Sequence, residues 1–111
     1  MAKKKAAKKR KRKGDHTIEL QAGVGVVPDP QPVSKSGGDR VRWWNRDDRA
    51  HVLSFDEWPF VELPQVISLN PGKKSRWFKV YWQQESRGYS YSVVPAITGG
   101  PPEGPQVSVG D

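Results

Sequence analysis

Apolar and polar residues alternate along this chain in short runs, and no stretch carries a helical period of useful length. Thr17, Ile18, Glu19 and Leu20 alternate as a half-buried edge strand does. The alternation is clearest from Arg40 to Asn45, where Val41 and Trp43 face inward and Arg40, Arg42 and Trp44 face outward. Ala50 to Phe55 predicts a strand with His51, Leu53 and Phe55 on one face, and Gln65 to Leu69 a shorter one. Arg76 to Trp82 alternates again, with Phe78, Val80 and Trp82 toward the core and Trp77, Lys79 and Tyr81 outside. The opposite phase is open here, because both faces carry aromatics. Tyr89 to Val94 and Gln106 to Val109 supply two more strands.

Turn residues separate these runs. The segment AGVGVVPDPQPVSKSGG is dense in Gly and Pro, and Pro28, Pro30 and Pro32 cannot donate to a ladder, so it reads as an irregular edge or a loop. Gly37-Gly38-Asp39 and Asn70-Pro71-Gly72 mark turns, and Asn45 to Arg49 is a polar one. Asp56 to Pro64 reads as a loop packed by its own Trp58 and Phe60, and PAITGGPPEGP as a stiff loop. Short strands punctuated in this way predict an all-β sandwich, or a small barrel, of roughly seven strands. No internal repeat is present.

Four features, in order, make the stretch from Val27 to Val109 resemble the cupredoxins, the blue-copper fold family. They are VPDPQPVSKSGGDRVRWWN with its buried Val and Trp and terminal Asn, the polar turn leading to His51, the LNPGKKSRWFKV turn and strand, and GYSYSVV. The resemblance implies a Greek-key β-sandwich of the copper type. It also implies where copper ligands would stand: a His at His51, a Cys at the position held by Val93, a second His near Ala96, then a Met. Only His51 matches. The chain has no cysteine and its single methionine is Met1, whereas type 1 copper needs imidazoles and a thiolate. The sequence therefore implies no cofactor and no electron transfer. A remnant metal or proton site at His51, joined by His16, is the weaker reading beside a hydrogen-bonded histidine under a loop.

Charge divides the chain in two. Of 19 Lys and Arg residues nine fall in the first thirteen positions, where no acid stands: Lys3, Lys4, Lys5, Lys8, Lys9, Arg10, Lys11, Arg12 and Lys13. The other ten oppose all twelve acids, a net of −2. Residues 1–14 thus read as a disordered basic arm, since mutually repelling charges leave nothing to bury, and 15–111 as the one domain that 111 residues allow. The absence of cysteine excludes disulfides and thiolate chemistry, and no apolar stretch follows the basic terminus, so the expected location is cytoplasmic.

Little in the chain points to catalysis. Asp47-Asp48 and Asp56-Glu57 lack the spacing of a calcium loop, and Asp47-Asp48 reads as a solvated polar turn. Nothing brings Glu57 and Glu62 together as an acid–base pair, and AGVGVV has no helix after it to make a dinucleotide site. The expectation is a non-enzymatic binding module. Nine clustered cations suit DNA, RNA or another polyanion through counterion release, and the same charges suit a solubilising terminus. Arg40, Arg42, Trp44, Trp77 and Lys79 form a candidate secondary surface of aromatics among cations, of the kind that stacks single-stranded nucleic acid. The alternative is an assembly module that docks a protein on its Trp-rich face. The arm has no apolar face for membrane insertion, and the pattern leaves the oligomeric state open.

Overall fold

The computed structural model describes residues 14–62, 65–97 and 104–111. The nine arm cations from Lys3 to Lys13 lie outside the described residues, as does residue 103 with the middle of the proline-rich loop.

The described residues form nine strands and no helix: β1 Asp15–Gln21, β2 Gly25–Val27, β3 Gln31–Ser34, β4 Arg40–Arg46, β5 His51–Phe55, β6 Val66–Leu69, β7 Phe78–Lys79, β8 Gly88–Val94 and β9 Gln106–Gly110. They build two mixed sheets, one in the order β2-β1-β4-β7 and one in the order β3-β9-β8-β5-β6. The pairs β1–β4 and β3–β9 are parallel and the rest antiparallel. The connections β2–β3, β3–β4, β4–β5, β6–β7 and β7–β8 cross from one sheet to the other, which gives a Greek-key sandwich.

Inward residues of both sheets interdigitate around Trp43. Its ring makes edge contacts with Phe55, Phe60, Phe78 and Tyr91 at centroid distances of 5.6–6.0 Å. Its indole N–H donates to the Tyr91 hydroxyl at 3.2 Å, so the one polar atom of this side chain is satisfied in the core. Ile18, Leu20, Leu53, Tyr89 and Val107 are buried around this cluster. The 56–62 loop packs by its own aromatics as predicted: Trp58 stands 5.2 Å from Phe55 and 5.0 Å from Phe60.

Three expectations are corrected. First, β1 is not an edge strand: β2 and β4 flank it, and Ile18 and Leu20 are fully buried. Second, the segment read as an irregular edge or a loop is edge, but it is regular enough to contribute β2 and β3, which account for the two strands beyond seven. Each is the edge of a different sheet, where Pro32 costs no ladder bond. Third, Trp82 does not enter the core; it is 67% exposed. Phe78 and Val80 are buried as predicted, but β7 ends at Lys79 because its partner β4 begins at Arg40. Past that point Val80 donates to Asp39 O and Tyr81 to Pro59 O, and the chain turns with Gln84 bonded back to Tyr81 O. A period of two holds only while a strand has a neighbour to pair with.

Candidate functional site

Two regions gather the chemistry that the sequence singles out. One is the pole where β4 hands over to β5. Asn45, fully buried at the end of β4, donates to the carbonyls of Arg49 and Leu69 at 2.8 and 3.0 Å and accepts from the Asp47 N–H at 2.9 Å. This fixes the turn that presents Asp47. His51, 1% exposed, donates from Nε2 to Asp47 Oδ2 and from Nδ1 to the Pro95 carbonyl, both at 2.7 Å. The hydrogen bond from His51, followed by that from the Asp48 N–H at 2.8 Å, holds the Asp47 carboxyl below the usual aspartate range. The reading of Asp47 as part of a solvated turn is therefore corrected: Asp48 is exposed, but Asp47 is buried beneath it.

The pole does not fit copper. A metal needs a ring nitrogen with its lone pair free, and both nitrogens of His51 are turned onto protein acceptors. Val93, at the position of the thiolate, packs against the hydrophobic core opposite Leu53, and Ala96 is exposed. Among the described residues no group of three or more His, Cys, Asp or Glu side chains is placed to hold a metal. His51 instead ties the β4–β5 turn to the segment after β8 by hydrogen bonds. His16 stands elsewhere, with Nε2 2.9 Å from Asp39. Glu57 and Glu62 also go to separate partners, Arg87 and the Lys79 N–H.

The second region is the outer face of the β2-β1-β4-β7 sheet. Here β4 turns Arg40, Arg42 and Trp44 outward, as its alternation predicts, and extends the row to Arg46, which the sequence placed in the following turn. The parallel register sets Asp15 beside Arg40, Thr17 beside Arg42 and Glu19 beside Trp44. Residues 73–75 run along β4 through bonds between Asn45 and Lys73 and between Trp43 and Ser75, and the chain beyond them lays Trp77 over the row. Arg40 and Arg42 sit 4.7 and 4.4 Å from the Trp77 ring centre. Arg46 and Lys74 sit 4.7 and 4.5 Å from that of Trp44. Such contacts contribute about 0.5–1 kcal/mol each at exposed sites.

Trp44 and Trp77 are therefore outward but half-buried, each already covered by cations. What the sheet presents is guanidinium more than open indole. Arg40 is bidentate to Asp15 at 2.9 and 2.6 Å, a bond that raises its pKa further, and Arg46 pairs with Glu19 at 3.2 Å. Arg42 donates to the uncharged Thr17 hydroxyl at 3.2 Å and so keeps its charge for a ligand. Lys79 is the exposed residue of β7, beside the buried Phe78. Sequence reasoning placed Tyr81 outside, where it stands, but missed the burial of Asp47 and the exposure of Trp82. The i to i+4 spacing of Asp47 and His51 was the available sign for the first; nothing in the local pattern marks where β7 ends.

A sandwich of this order with its terminal Asn and histidine at one pole is a cupredoxin-like fold. A solved structure described as a novel purple cupredoxin from Nitrosopumilus maritimus superposes with a TM-score of 0.61 at 20% identity, covering 86% of this chain and all of that one. No family model and no curated protein sequence matches the chain. Among the described residues no helix is long and apolar enough to cross a membrane.

Proposed function

We propose that this protein is a non-enzymatic, copper-free cupredoxin-like module that binds nucleic acid or a comparable polyanion. The arm supplies the bulk electrostatics and the outer face of the first sheet a secondary contact. One observation carries the reading. The arm enters the fold at Gly14, whose carbonyl accepts the N–H of Arg40 at 2.8 Å. Arg40 is the first residue of the strand whose outward row is Arg40, Arg42, Trp44 and Arg46. The arm is thus joined to the domain beside the first residue of this row, and this supports a polyanion that engages both.

The test is binding of labelled duplex and single-stranded DNA to the full chain and to a chain starting at Gly14, across a salt series. Log affinity should fall with log salt by about 0.9 per duplex phosphate neutralised, and most of that slope should leave with the arm. Arg42→Gln in the full chain should lower the slope by about one further contact. Failure of the full chain to bind either nucleic acid near physiological salt refutes the proposal, as does binding that is indifferent to salt.

A further inference from the structure

Trp82 is the most exposed aromatic side chain among the described residues, at 67%, and Tyr81 beside it is 39% exposed. Their ring centres lie 6.3 Å apart at 53°. Unlike Trp44 and Trp77, neither ring has a described cation over it. The pair is held rather than dangling. Tyr81 N–H donates to Pro59 O at 2.9 Å, Gln84 N–H to Tyr81 O at 3.0 Å, and the Tyr81 hydroxyl to Gln83 at 2.8 Å.

Cations flank this turn. The Lys35 ammonium donates to Gln84 O at 2.7 Å, which places its charge on the turn itself with two donors to spare. The Lys79 side chain runs over Gly38, where a Cβ would lie 3.3 Å from its Cε. The neighbouring acids are engaged: Asp39 with His16 and the Ser34 N–H, both at 2.9 Å, Glu85 with Arg87 at 3.4 Å, Glu62 with the Lys79 N–H at 2.7 Å and Asp111 with the Ser86 hydroxyl at 3.0 Å. The arm begins at this end as well. Val80 N–H donates to Asp39 O at 3.0 Å, and the next residue, Arg40, donates to Gly14 O. Gly14 therefore lies within about 20 Å of Trp82, while thirteen residues can extend to about 45 Å.

We propose that Tyr81 and Trp82 form a base-stacking platform for single-stranded nucleic acid, with Lys35 and Lys79 contacting the backbone that leads to it. The proposal rests on the polyanion reading above and adds a preference to it. An arm neutralises phosphates of any strand, but an open indole can stack only a base that is out of the duplex. Duplex and single strand should therefore depend on different residues.

The experiment compares oligo(dT) of about 12 nucleotides with a duplex, using the full chain and its Trp82→Ala, Tyr81→Ala and Lys35→Gln variants. Trp82→Ala should weaken oligo(dT) binding about 5- to 100-fold, and Tyr81→Ala should act in the same direction. Duplex affinity should stay within about 2-fold, since duplex affinity is set by phosphate contacts. Lys35→Gln should reduce the single-strand salt slope by about 0.7. Both rings are exposed, so the urea midpoints of the variants should match the parent and exclude misfolding. If the parent binds both probes and the ring variants change neither, the platform is refuted while the arm reading stands. If the parent binds neither probe, both are refuted. Salt-insensitive self-association abolished by Trp82→Ala would make this a protein-docking surface and overturn the proposal.

Discussion

Asn45→Leu removes a side chain whose polar atoms are all spoken for. Leucine keeps the Cγ branching of asparagine but has no group that hydrogen-bonds, and its extra bulk only adds to the loss. Three backbone groups lose their partner: the Leu69 carbonyl, the Asp47 N–H and the Arg49 carbonyl. Arg49 is exposed, and its carbonyl can turn to water. The other two bonds are buried, and each group left unsatisfied there costs about 1–3 kcal/mol. The expected loss is about 2–6 kcal/mol in total. With a urea m-value of about 1 kcal/mol/M for a domain of this size, the midpoint should fall by about 2 M or more at unchanged m. Asn45→Asp supplies a second reading of the same site. It keeps the acceptor for Asp47 but aims a carboxylate oxygen at two carbonyls, so its penalty relative to the parent should shrink as pH falls and the acid becomes a donor. A midpoint for Asn45→Leu within about 0.5 M of the parent would refute the view that this residue organises the pole.

Other outcomes follow from the same geometry. The depressed pKa of Asp47 means that its carboxylate contributes stability above the ordinary aspartate value of about 3.9. That contribution is lost as pH falls through the lower folded value. Asp47→Asn should therefore lower the urea midpoint at neutral pH and flatten the acid limb of the stability profile; an acid limb as steep as the parent's counts against the His51–Asp47 pair. Gly104→Ala would put a Cβ 2.8 Å from the Tyr91 backbone oxygen, beside the Tyr91–Pro105 hydrogen bond, and should cost about 1–3 kcal/mol in a denaturant titration. Gly88→Ala is its control, because the Cβ there meets only the movable end of Gln106; equal effects at the two positions would show that the close approach at Gly104 is not what matters.

The class of fold and the division of charge are legible in the residues alone. Alternation at Val41 and Trp43, at Leu53 and Phe55, and at Tyr89 and Tyr91 is a local property, and a half-buried sheet enforces it wherever a strand is paired on both sides. The cysteine-free ligand positions, the basic arm and the near-neutral domain can be counted from the residues alone. Tertiary structure decided what depends on the neighbour. The row Ile18–Leu20 looks like an edge until β2 and β4 are placed around it. Asp47 looks like half of a solvated turn until His51, four residues on and across the crossover, buries it. Trp82 continues a perfect alternation, yet it lies in solvent because β4 begins at Arg40 and gives it nothing to pair with. Strand length and edge position are set by contacts far apart in the chain, and a period read along one segment contains no information about where its partner ends.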